Sequence, residues 1–125
     1  MTTRVLIAED DEHIVELLTF VLERERYVVA TAPDGEAALA RLRSEPHDLM
    51  ILDVMLPRMN GFEVLKTVRA DPRLKDLPVI VLTAKGQVQD RRTAESLGID
   101  EYMTKPFSNQ DVVDSVRRVA GSLPR

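Results

Sequence analysis

Apolar residues in this chain come in two kinds of run. Val5-Leu6-Ile7-Ala8, Leu49-Met50-Ile51-Leu52 and Val79-Ile80-Val81-Leu82 are unbroken blocks, too short for helices and bounded by charged or turn-forming neighbours. Such blocks mark strands buried on both faces of a parallel sheet. Tyr27 to Ala32 is β-prone, and Glu101 to Thr104 reads as a short fifth strand. Between these runs the spacing becomes helical. Ile14, Leu17, Leu18, Val21 and Leu22 recur on one face, with Asp11 and Glu12 suited to the positive end of that helix's dipole. Ala38, Leu39 and Leu42 mark a shorter helix, closed by Pro46. Phe62, Leu65 and Val68 mark a third, ended by Asp71-Pro72. Gln87 to Leu97 is expected to be helical, with Gly98 as its stop. Val112, Val113, Val116, Val119 and Ala120 form the inner face of the last helix, which opens on a Ser108-x-x-Asp111 capping pattern.

Strands and helices therefore alternate without exception. Alternation of this kind implies right-handed crossovers and a parallel sheet covered on both faces, an α/β fold. The chain reads as one domain over 1–125, with a core from about 4 to 120 and a loose tail from Gly121 to Arg125. Pro33-Asp34-Gly35 and the Pro57 to Gly61 segment punctuate it, with Asp34 placed as a helix N-cap. The Gln87 to Leu97 helix offers only Val88, Ala94 and Leu97 for burial. It is expected to be the least firmly anchored helix, and such elements are the ones that move in switching.

Composition narrows the function. A length of 125 residues suffices for one core, and 44% apolar with 30% charged residues is globular rather than disordered. The net charge of −4 argues against an electrostatic grip on nucleic acid, so no direct nucleic-acid binding is expected. The absence of cysteine excludes disulfides and thiolate metal sites. No apolar run approaches the ~18 residues of a membrane span, and the acidic turn at Glu9 interrupts any signal-peptide core. A cytoplasmic location without membrane contact is the expectation.

The chemistry lies where the strands end. Glu9 and Asp10 follow the first strand, Asp53 ends the third, Thr83 the fourth and Lys105 the fifth. In open α/β sheets function gathers outside these carboxyl ends. If the first and third strands are neighbours, three carboxylates converge, and two unit charges ~4 Å apart repel by about 4 kcal/mol at an effective dielectric of ~20. A hard cation such as Mg²⁺, which takes oxygen ligands, accounts for that crowding. Carboxylate nucleophile, metal, ammonium and hydroxyl together describe a phosphoryl-accepting site.

With Glu9-Asp10, Asp53 with Pro57 and Gly61, Leu82-Thr83-Ala84, and Tyr102-x-x-Lys105-Pro106-Phe107 in this order, the chain resembles the receiver domain of bacterial two-component response regulators over about residues 4 to 120. The resemblance implies a flavodoxin-like sheet of order 2-1-3-4-5. It implies that Asp53 is the phosphoacceptor, supplied by a phosphohistidine on a sensor histidine kinase or phosphotransfer protein. Asp10, Asp53 and the Met55 backbone carbonyl would ligate Mg²⁺, with Glu9 acting through a bound water. Lys105 would hold the phosphoryl group, and the Lys105-Pro106 bond would be cis. Thr83 would move onto the phosphate and Tyr102 would swing into the space it leaves. Met55 and Lys85 flank the site and should affect the lifetime of the phosphoryl group.

In its details the chain is most similar to the branch whose receivers drive winged-helix DNA-binding domains. Active receivers of that branch pair through the face of the fourth helix, fifth strand and fifth helix. Here that face is expected to carry Asp90, Arg91, Glu95, Asp100, Glu101, Asp111 and Arg117, a mixed-sign set suited to a homodimer. Gln87 and Ser115 stand where many members of the branch carry basic residues. With no DNA-binding domain in the sequence, the chain is either a stand-alone receiver or the front of a longer regulator.

Three other readings compete. A haloacid-dehalogenase-type phosphatase needs a second aspartate two residues after the nucleophile, where this chain has Met55. A flavin site needs a phosphate loop after the first strand, and Glu9-Asp10-Asp11 would repel phosphate. A receiver-shaped module that is never phosphorylated has no need of the acidic site. His13 and His47 lack partners at ligand spacing and are assigned no function.

Overall fold

The computed structural model describes residues 2–84 and 87–121. Five strands, β1 (Arg4–Ala8), β2 (Val28–Ala32), β3 (Leu49–Asp53), β4 (Val79–Ala84) and β5 (Glu101–Lys105), alternate with five helices, α1 (Glu12–Arg24), α2 (Gly35–Ser44), α3 (Gly61–Ala70), α4 (Val88–Leu97) and α5 (Asn109–Gly121). The strands form one parallel sheet of order β2-β1-β3-β4-β5. This is the flavodoxin-like α/β fold expected from the alternation and the resemblance.

The unbroken apolar blocks are explained by the two faces of the sheet. Leu6, Ala8, Met50, Leu52, Val79 and Val81 pack on one side with α2, α3 and Ala94 of α4. Val5, Ile7, Leu49, Ile51, Ile80 and Leu82 pack on the other with α1 and α5. Successive side chains point to opposite faces, so every residue of the block finds apolar cover.

Local signals set the helix ends. Asp11 accepts from the backbone N–H of His13, and Asp34 from that of Ala37 at 2.8 Å. Asn60 caps α3 by accepting from Glu63. Ser108 and Asp111 bond each other's backbone N–H reciprocally at 3.0 Å, completing the expected capping box.

Three details differ from the sequence reading. Strand β2 starts at Val28, because the Tyr27 N–H is used to close α1 on the Leu22 carbonyl, with Arg26 in the left-handed region. Val88, expected among the buried residues of its helix, is 59% exposed, which leaves Ala94 as the one fully buried side chain described there. Gly121 is the last residue of α5, and the remainder of the expected tail, like Lys85, lies outside the described residues.

Candidate functional site

The register of the sheet brings the acidic ends together. Ala8 of β1 lies beside Leu52 of β3, so Glu9 and Asp53 occupy the next level of the same rim. Both are almost fully buried, at 2% and 3% exposure, while Asp10 is open to solvent. One carboxylate oxygen from each of Glu9, Asp10 and Asp53 lies within 4.8 Å of the others. Lys105 arrives from β5 and bridges the two buried acids, with its Nζ 2.8 Å from Glu9 Oε1 and 3.3 Å from Asp53 Oδ2.

Each buried acid is also held by backbone. Glu9 Oε2 accepts from the N–H groups of Asp10 and Asp11, and Asp53 Oδ1 accepts from Met55 N–H at 3.1 Å. Glu9 Oε1 has no such support. It is buried and receives no well-directed hydrogen bond, despite the nearby ammonium. Burial, opposed by Lys105 and aided by Asp53, pushes the Glu9 carboxyl up to about 7. For Lys105, burial pulls downward, yet Glu9 and Asp53 outweigh it and hold the ammonium above its ordinary value. Three carboxyl groups gather here around a single ammonium, so the site is acidic on balance even with Glu9 partly protonated. An all-oxygen donor set with a surplus of charge and an unsupported buried oxygen fits a hard divalent cation.

The other expected residues lie on the neighbouring strands and loop. Thr83 is buried one position beyond Leu82, which is the register partner of Asp53. Tyr102 lies on β5 beside Val81 and is partly buried against the α2–α4 side of the core. Met55 is exposed and touches the site through its backbone. The Lys105–Pro106 bond is cis.

Two charged residues expected on the fourth-helix face have partners within the chain. Arg117 reaches away to Glu25 at the end of α1. Asp100 turns to the start of β4, accepting from Val79 N–H at 2.8 Å and lying beside Arg69. The face also carries contacts the sequence did not signal. Arg118 forks onto Glu101 with two bonds of 2.8 Å, and the buried Ser115 hydroxyl donates to the same carboxylate. Arg118 first, and Ser115 second, hold the Glu101 carboxyl below its usual range. The Arg91 guanidinium lies 3.9 Å from the centre of the Tyr102 ring. These pairs join different elements, and no local spacing rule connects them.

Comparison with known proteins agrees with this geometry. Residues 5–117 match the family model described as the response regulator receiver domain. The chain is 44% identical over 119 residues to the alkaline phosphatase synthesis transcriptional regulatory protein PhoP of Bacillus subtilis, covering 95% of this chain and 49% of that one. It is 36% identical to the phosphate regulon transcriptional regulatory protein PhoB of Escherichia coli, covering 95% of this chain and 52% of the relative. The chain thus spans about half the length of these curated relatives. Among solved structures, a response regulator from Chloroflexus aurantiacus superposes with a TM-score of 0.93 at 34% identity, over 97% of this chain and 99% of that one. With the acidic rim, the bridging lysine and the strand order all in place, the chain belongs to the response regulator receiver domain family, whose members are regulatory phosphoacceptors rather than catalytic enzymes.

Proposed function

We propose that Asp53 is the phosphoacceptor of a phosphorylation-dependent signalling switch, supplied by the phosphohistidine of a sensor histidine kinase or a phosphotransfer protein. The observation that carries this reading is the meeting of Glu9, Asp10 and Asp53 within 4.8 Å, with Lys105 bridging Glu9 and Asp53. In the transfer an Asp53 carboxylate oxygen forms a bond to phosphorus. The phosphorus–nitrogen bond of the donor breaks, and the histidine nitrogen takes up a proton. The product is an acyl phosphate. Asp10, Asp53 and the Met55 carbonyl would hold Mg²⁺ directly, and Glu9 through water. A cation held by these residues would supply neutralisation of charge on the transferring oxygens. Lys105 already stands beside Asp53 Oδ2, where an added phosphoryl group would meet its ammonium. Thr83 would supply a hydroxyl to the group once it is attached.

The readout we propose is a shift of the α4–β5–α5 face, which controls an output partner or homodimer formation. Support comes from Arg91 of α4 stacked on Tyr102 of β5. Any inward movement of Tyr102 after Thr83 must break or carry along that contact, and so must be felt by α4. An acidic chain of net charge −4 is a poor ligand for nucleic acid by itself, so output runs through other protein surfaces. No helix among the described residues is long and apolar enough to cross a membrane.

Incubation with acetyl phosphate and Mg²⁺, followed by intact mass measurement, tests the acceptor. Wild type should gain the mass of one phosphoryl group and Asp53→Asn should not. Equal labelling of both defeats the assignment. Beryllofluoride with Mg²⁺ tests the switch: amide signals at Thr83, α4 and Tyr102 should move. Bound ligand with those signals unmoved would remove the readout while leaving the acceptor intact.

A further inference from the structure

The loop between β3 and α3, residues 54–60, carries Met55, and its outer side rests on the start of α2. Three contacts meet there. The Gly35 N–H donates to the Pro57 carbonyl at 3.4 Å. Asp34 caps α2 with one oxygen, and its other oxygen lies 3.7 Å from Arg58 Nε. Arg58 itself sits in the left-handed region, φ 65°, so the loop is folded tightly at this point. Finally, the Met59 backbone lies directly over the α-carbon of Gly35. A Cβ there would overlap the Met59 carbonyl oxygen and come within 2.7 Å of the Met59 Cβ.

Glycine is not needed here for backbone freedom. Gly35 is the first residue of a helix and has no positive φ, a position where alanine is the better helix former. The missing side chain is therefore explained by space. From the inner side the same loop is fixed by Gly61, where a Cβ would come within 2.6 Å of the Val54 α-carbon, and whose N–H donates to the Val54 carbonyl at 3.0 Å. Buried Val54 and Leu56 fill the interval. The loop is clamped between two glycines on two different helices.

We propose that Gly35 is a positioning residue for the Asp53 site. It acts through the loop rather than by contact, by setting where the Met55 backbone stands relative to Asp53 and thereby the fit of the site for Mg²⁺. This rests on the Mg²⁺ site proposed above. Gly35→Ala displaces residues 57–59 outward, since the clash is with backbone that no rotamer can relieve. A group needing near-ideal octahedral geometry tolerates such displacement poorly.

The test is a MgCl₂ titration of the full chain followed by amide NMR, at a temperature where each variant is folded. Gly35→Ala should raise the Mg²⁺ Kd at least threefold, and before any cation is added its amide signals at 54–60 should differ from wild type. Leu39→Ala, at a buried position of the same helix, serves as the matched control: it should lower stability and leave the Kd unchanged. If Gly35→Ala does not fold, Met59→Gly replaces it, removing the side chain that sits over Gly35 and loosening the loop. That variant should also weaken Mg²⁺ binding. Wild-type affinity in Gly35→Ala, or in Met59→Gly where it stands in, overturns the inference, as does an equal weakening by Leu39→Ala. A wild-type chain that binds no Mg²⁺ would overturn the proposed site, and this inference with it, whatever the variants do.

Discussion

Helices α4 and α5 flank the same edge strand, yet they are held by opposite means. Helix α5 buries Val112, Val113, Ser115, Val116, Val119 and Ala120, and its first turn is closed by a reciprocal capping box. Helix α4 buries Ala94 alone, exposes Val88, and begins at Gln87 with no side-chain hydrogen bond to its first turn. Besides Ala94 and the Arg91–Tyr102 contact, α4 is anchored by polar bonds at its far end. Arg69 donates to the Gly98 carbonyl at 2.9 Å and also to the carbonyls of Lys75 and Leu77, which ties the end of α4 to α3 and to the start of β4. One helix is docked by apolar area, the other by one buried alanine and a few polar contacts. The difference teaches how unevenly one domain can distribute its stability: with little buried apolar surface and an uncapped end, local opening of α4 should cost less than that of α5.

Truncation of the α5 face should have the largest effect. Val116→Ala leaves a cavity at a fully buried site and is expected to lower unfolding free energy by about 2 kcal/mol in urea melts. Leu97→Ala, at a half-buried position of α4, should cost distinctly less, and an equal loss would erase the contrast between the helices. Next comes the tether. Arg69→Met removes the donor from three carbonyls and leaves Asp100 without its cation. A loss of about 1–1.5 kcal/mol is expected, accompanied by faster amide exchange at Glu95 to Gly98. Exchange there unchanged from wild type would show that α4 is not anchored at Gly98. Ser108→Ala removes half of the α5 capping box and should cost about 1 kcal/mol. The smallest effect has the opposite sign. Gln87→Asp supplies α4 with the cap it lacks and should stabilise the chain by about 0.5–1 kcal/mol. Protection of the first-turn amides of α4 should rise with it, narrowing the difference between the helices.

Burial of whole blocks and of helical faces was legible because each depends on short-range pattern. Val79 to Leu82 is apolar at every position because both faces of β4 are covered, and the inner face of α5 is spelled out at helical spacing. Asp34, Asn60 and Ser108 act on backbone only a few residues away, so their type and position suffice. Val88 misled because an apolar side chain at the right spacing is buried only if something packs over it, and nothing among the described residues does so fully. The partners of Arg117 and Asp100 were hidden for a related reason. Charged side chains pair with whatever the fold brings close, here Glu25 for Arg117 and the start of β4 for Asp100, and neither is near in sequence.

By itself, the sequence determined the alternation of elements, the strand ends on which Glu9, Asp53, Thr83 and Lys105 fall, and, by resemblance, the order in which the strands lie. Only the tertiary structure decided that Lys105 bridges Glu9 and Asp53, that Arg91 lies over Tyr102, that Arg118 and Ser115 share Glu101, and that Gly35 makes room for Met59. The reason is range. Secondary structure and rim position follow from neighbours along the chain. Charge pairing and close backbone approach are instead settled by which surfaces the crossovers bring within a few ångströms of each other.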